Sequence, residues 1–218
     1  NQLPAFKPTL IMDRGIATKD NLLAITENGY DYVVIQRRAA EKDYINEFEN
    51  IHTTFDCIDG RQESVFVKKL PVKEDETSCE VLCWSEGREA KEQAMDEKKE
   101  QHFIQDLTKL KQSIKKGYLK ERKKIEQRVG KIKTRYSAIA QYYQINLVVN
   151  EKEKTATDIT WEQKVTRKQR KTLTGCYVIE TSHANKTAEE IWHLYMTLTQ
   201  VESAFKSLKT DLGLRPVF

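Results

Sequence analysis

The chain reads as an α/β protein whose sheet-and-helix body is interrupted by a mixed insertion of strands and a helical hairpin. Three observations carry this. Residues 9–36 run strand, helix, strand, the length of one βαβ unit. Residues 86–143 keep two phases of apolar helical spacing inside dense charge. Residues 174–212 give an apolar strand and then an amphipathic helix with its own start signal. The expected division is 1–38 for the first part of the body, 39–172 for the insertion, and 173–218 for the rest of the body.

The βαβ unit comes first. "PTLIMDRG" is a short apolar run closed by Asp13 and Gly15, as in a buried parallel strand. "ATKDNLLAITENG" follows as a helix, with Thr18 or Asp20 as cap, Leu22, Leu23 and Ile25 facing inward, and Gly29 as the stop. "YDYVVIQ" is rich in β-branched and aromatic residues and makes the second strand. A right-handed crossover makes the two strands parallel and leaves Asp13 at a carboxyl end, where open α/β sheets gather ligands.

After Arg38 the pattern changes. "ESVFVKKL" and "CEVLCWSE" read as strands of a separate, more exposed sheet. Phe103, Leu107, Leu110 and Ile114 define one helix, and Ile125, Val129, Ile132, Tyr136, Ile139 and Tyr143 another. The phase slips at "KKGY", which predicts an antiparallel hairpin with its turn there. "INLVVNEK" and "TATDITWEQK" return to strand, and "GCYVIETSH" belongs to the main body. Thr187 and Glu190 match a capping box, and Ile191, Leu194, Leu198, Val201, Phe205, Leu208 and Leu212 form a stripe expected to face the core.

Composition narrows the chemistry. The 218 residues are 39% hydrophobic and 32% charged, with net charge +4. The basic excess sits in residues 109–135, including Lys115, Lys116, Lys120, Arg122, Lys123 and Lys124. Such a run is a solvated arm, a contact to a second protomer, or a track for DNA backbone. Cys57, Cys79, Cys83 and Cys176 with four histidines do not complete a zinc pattern, so free thiols in a reducing cytosol are expected. No run is apolar enough to span a membrane, and no signal peptide is visible. The chain starts "NQLPAF" and is expected to be cut from a longer protein.

Two acids stand out. Asp13 ends a strand, and Glu202 flanks the stripe of the last helix, on one line with Tyr195 and Lys209 at spacings of seven. If they converge at the sheet's carboxyl edge, they suit Mg²⁺ or Mn²⁺, and two such ions serve phosphodiester displacement. Lys209 or Lys206 offers a point charge for a phosphate, Tyr195 a hydroxyl, and Arg14 a guanidinium. Taken one at a time, these residues also fit a turn aspartate, a boundary glutamate and surface cations.

Order and spacing together resemble the DDE transposases of bacterial insertion sequences, specifically insertion-sequence family four. That family's signature, Y-x2-R-x3-E-x6-K, falls on Tyr195, Glu202 and Lys209, with Leu198 at the Arg position. "IMDRG" is similar to its second-Asp motif. The resemblance implies an RNase H-like core, here without its amino-terminal strands, and a metal-binding triad to which Asp13 and Glu202 belong. It implies cleavage and strand transfer at mobile-element ends, with a two-metal site completed by an upstream Asp. No Asp precedes Asp13 in this chain, so the chain alone is expected to be inert. DNA is the implied partner, a homodimer is to be tested, and a bacterial or archaeal nucleoid is the implied location. Trp161 is the candidate for stacking on a flipped base, against its ordinary role in the core of a small sheet. The competing classes are a non-catalytic DNA-binding or assembly module (a decayed transposase among them) and a metal-dependent α/β nuclease without strand transfer.

Overall fold

β1 (Thr9–Met12) and β2 (Asp31–Ile35) pair in parallel, with Thr9 opposite Asp31 and Met12 opposite Val34. The computed structural model describes residues 7–60, 63–72, 78–150 and 155–210. Between the two strands lies α1 (Lys19–Glu27), where the Thr18 hydroxyl accepts the Asn21 amide at 3.2 Å. Thr18, not Asp20, is therefore the cap. Gly29 sits at φ +79°, where a side chain would strain the backbone, and its amide and that of Tyr30 close the helix on Thr26 and Ile25. Leu22 packs with Tyr32 and Val34, with Ile25 beside them. Leu23 is exposed, contrary to expectation, because one residue further turns about 100° around the helix.

The main sheet has six strands in the order β1-β2-β8-β5-β4-β3. β3 is Asp56–Asp59, β4 Ser64–Lys69, β5 Cys79–Ser85 and β8 Cys176–Thr181, and every pairing except β1 with β2 is antiparallel. A 3₁₀ turn at Ala40–Tyr44 and the short helices α2 (Ile45–Phe48) and α3 (Ile51–Thr54) lead into β3; none was anticipated. The expected separate sheet for "ESVFVKKL" and "CEVLCWSE" is thus corrected. β5 lies between β4 and β8 with six of its seven residues buried, so its near-continuous apolar run marks a strand covered on both faces. The insertion accordingly starts at residue 89, not 39. The chain divides into one unit of residues 1–88 with 175–218, and a second of 89–174.

α8 (Ala188–Thr210) covers the first unit's core, burying Ile191 and Trp192 among Val65, Val67, Val81 and Ile179. Leu194, Tyr195 and Met196 pack against the same cluster. Beyond Leu198 the stripe fails, and Val201, Phe205 and Leu208 are exposed. The lengths explain it: 23 helical residues span about 34 Å, whereas the five of β2 span about 17 Å, so the helix outruns the sheet. Leu212 lies outside the described residues.

The second unit contains α4 (Glu86–Lys115) from residue 89 on, α5 (Arg122–Arg135), α6 (Ser137–Ala140), β6 (Tyr143–Asn150), β7 (Thr155–Gln163) and α7 (Thr166–Thr172). Phe103, Leu107, Leu110, Ile114, Ile125, Val129 and Ile139 form its core, as the two helical phases predict, together with Ile159 of β7 and with Tyr143, which begins β6 rather than ending a helix. β6 and β7 make a hairpin with Tyr143 opposite Gln163 and an irregularity at Val148/Val149. No helix among the described residues is long and apolar enough to cross a membrane.

Candidate active site

The direction of α8 follows from two interactions. Ahead of the helix, His183 Nε2 lies 2.8 Å from Thr9 Oγ1, at the amino end of β1. Two turns into the helix, Tyr195 packs against the same core cluster as Ile11, near the carboxyl end of the same strand. The helix therefore runs along β1 towards the edge where ligands collect in open α/β sheets. Its start is fixed as the sequence indicates: Thr187 Oγ1 accepts the Glu190 amide at 3.2 Å, and the Glu190 carboxylate accepts the Thr187 amide at 2.7 Å.

Tyr195 is the meeting point. It is half-buried, with its ring 6.1 Å from that of Tyr177. Burial raises its phenol above the usual range, and the Glu202 and Asp13 carboxylates raise it further, while the Arg88 guanidinium opposes them. Tyr177 is locked in turn: it accepts the Trp192 indole N–H at 2.8 Å, and the Arg88 guanidinium lies 4.6 Å over its ring.

The two acids are differently held. Asp13 is exposed, and one of its carboxylate oxygens accepts the Arg14 amide at 2.7 Å, while its carbonyl accepts the Ile16 amide at 3.2 Å. That turn fixes the carboxylate and leaves its second oxygen with no protein donor among the described residues. Glu202 is exposed and has no hydrogen bond or ion pair among the described residues. It lines a shallow groove on α8 with Phe205, Lys206, Lys209 and Thr210. Arg14 is half-buried, and its backbone amide, rather than its guanidinium, bonds to Asp13.

As donors, the two carboxylates offer hard oxygens, and Mg²⁺ is commonly held by one or two carboxylates together with water and substrate phosphates. The donor set fits such an ion in kind. Among the described residues, no group of three or more His, Cys, Asp or Glu side chains gathers as a complete cage.

Trp161 falls in the second unit. It packs against that unit's core, and the Lys111 ammonium lies 5.6 Å over its ring. Sequence reasoning did not find Arg88 or Tyr177. Arg88 is one of 37 Lys and Arg residues, and its place depends on a long-range register that sets Cys83 opposite Tyr177. No single-sequence signal marks it.

No family model, curated protein or solved structure matches this chain.

Proposed function

We propose that this chain is part of the catalytic domain of a DDE-type DNA transposase, in which Asp13 and Glu202 are two of three carboxylate ligands. The carrying observation is that Asp13 follows β1 directly, while Glu202 lies two turns beyond Tyr195 on the helix that packs against the same core as Ile11 of that strand. A resident Mg²⁺ or Mn²⁺ pair, when bound, supplies charge stabilisation and an activated hydroxyl for phosphodiester displacement. The chain's own residues do the rest. Lys206 and Lys209 sit beside Glu202 and hold a substrate phosphate by charge. The raised phenol keeps its proton at neutral pH, so Tyr195 donates a hydrogen bond to a phosphate oxygen. Arg88 supplies the guanidinium that Leu198 does not.

The third carboxylate of the proposed triad has no candidate ahead of Asp13, since residues 1–12 hold no Asp. The 218-residue chain by itself therefore cuts no DNA in Mg²⁺. In the protein that carries the remaining ligand, Glu202→Gln abolishes both cleavage and joining of element ends while the protein still folds. Retained cleavage in that variant would end the triad assignment and favour a non-catalytic DNA-binding module. Cleavage without joining in the unsubstituted protein would identify a nuclease instead.

A further inference from the structure

The second unit carries a groove between α4 and α5 that the carboxylate site does not use. Lys109, Arg128, Lys131 and Arg135 line it, around one acid, Asp106. We propose that this groove is a binding site for the phosphate backbone of duplex DNA, with Arg128 and Lys131 as its principal cations. The inference deepens the transposase reading, from which it takes DNA as the partner, but its geometry comes from the second unit alone.

Charge is the first support. Residues 109–135 hold twelve Lys and Arg against two Glu, in a chain whose net charge is only +4. Some of the neighbouring cations are already engaged, and Lys116, Lys120, Lys123 and Lys133 do not line the groove. Lys111 and Lys115 face Asp158 at 3.4 and 3.9 Å, Arg122 meets Glu126 at 2.8 Å, and Lys124 meets Glu121 at 2.7 Å. Arg128 and Lys131, by contrast, have no ion pair or hydrogen bond among the described residues. Lys109 and Arg135 share Asp106, at 3.8 and 3.1 Å, and the Tyr136 hydroxyl also donates to it at 3.1 Å. One carboxylate between two cations leaves the groove positive.

Shape is the second support. The groove has a volume of about 290 Å³, room for a phosphodiester with some of its water. Arg128, Lys131 and Arg135 follow one another at spacings of three and four, so they stand on one face of α5 over about 10 Å. Leu110 is buried and Ile132 half-buried, so the apolar residues form a floor and cannot insert into a bilayer. A guanidinium beside an ammonium, above a recessed apolar floor, favours phosphates on a backbone over a lipid surface.

The test is binding of the 218-residue chain to a random-sequence duplex between roughly 50 and 200 mM salt. Removing one phosphate-binding cation lowers the slope of log affinity against log salt by about one. Arg128→Gln with Lys131→Gln should therefore flatten the slope by about two and weaken binding at least about tenfold at the low-salt end. Glutamine keeps helix propensity close to that of Arg and Lys, and circular dichroism checks that α5 is intact. Lys131→Gln alone, with a slope lower by about one, gives an independent reading. Lys19→Gln with Lys42→Gln removes the same charge from the first unit and should leave the slope unchanged. Equal slopes for the unsubstituted chain and the Arg128/Lys131 variant overturn the proposal. So does tighter binding to anionic phosphatidylserine vesicles than to duplex. If this binding pattern holds while Glu202→Gln still cleaves in the complete protein, the transposase mechanism falls and the groove stands.

Discussion

Arg167 shows how much a single side chain carries in the second unit. Its side chain is 4% exposed, and it reaches Glu100 at 2.8 Å and Asp96 at 3.3 Å, with its guanidinium 5.6 Å over the Tyr142 ring. Glu100 also accepts the Tyr143 hydroxyl at 2.5 Å and the Gln163 amide at 2.9 Å. Burial pushes the Glu100 carboxyl up, but the bonds from Arg167 and Tyr143 outweigh it and hold it below its ordinary 4.5. A depressed carboxyl contributes stability that is present above its unfolded value and lost as pH falls through its folded value. The second unit should therefore hold its stability above about pH 4.5 and lose part of it in more acid solution. Urea unfolding followed by Trp161 fluorescence measures this, and Glu100→Gln should flatten the acid limb. Arg167→Ala at neutral pH leaves two acids without their cation and should cost roughly 3 kcal/mol. A cost below about 1 kcal/mol would mean that water replaces the guanidinium. None of this was legible in the sequence, where Arg167 is one more cation in "VTRKQRK".

At the level of elements, legibility tracked how local the cause was. The α4–α5 hairpin was readable because its apolar phases and its stop signal lie within the segment itself. α4 closes as a Schellman turn: the Gly117 amide bonds to the Ile114 carbonyl at 2.9 Å, and the Tyr118 amide to that of Ser113 at 3.0 Å. Gly117 sits at φ +74°, and a Cβ there would lie 3.2 Å from the flexible Lys120 side chain. Gly117→Ala is therefore a backbone penalty rather than a clash. It should destabilise the second unit by about 1 kcal/mol, read as a lower urea midpoint with an unchanged m-value. No change in midpoint would show that the turn relaxes out of the left-handed region. The capping box and the parallel β1–β2 pair were legible for the same local reason. β5 was not, since its partner β8 lies some ninety residues later and only tertiary pairing shows which sheet it joins. The outer half of α8 misled for a related reason: a stripe announces a face, but not whether the sheet is long enough to cover it.

For the molecule as a whole, the position of the insertion's boundary has a physical consequence. The site acids were legible as candidates from their spacing, while the packing of Tyr195 on the same core as Ile11 had to come from the fold, because it depends on where α8 lands along β1. The boundary was misplaced because β4 and β5 resemble a small independent sheet until β8 is set beside β5. Residues 89–174 form one unit with a continuous core from Phe103 to Ile159, and its buried Arg167 is paired inside the same stretch. A piece of that size is within the range that folds alone when the core is well filled. Expressed by itself, 89–174 should be monomeric, helical by circular dichroism and cooperative in urea, with an m-value of about 1 kcal/mol/M. A piece cut at 39–172 is the contrasting case. It keeps β3–β5 but removes β8, leaving β5 with an unpaired edge and two apolar faces uncovered. Such an edge templates intermolecular pairing, so that piece should aggregate at concentrations where 89–174 stays in solution. Sedimentation of the two pieces side by side decides between the boundaries. If 39–172 is the soluble, cooperative one and 89–174 is not, β5 draws its stability from β4 and the helices rather than from β8.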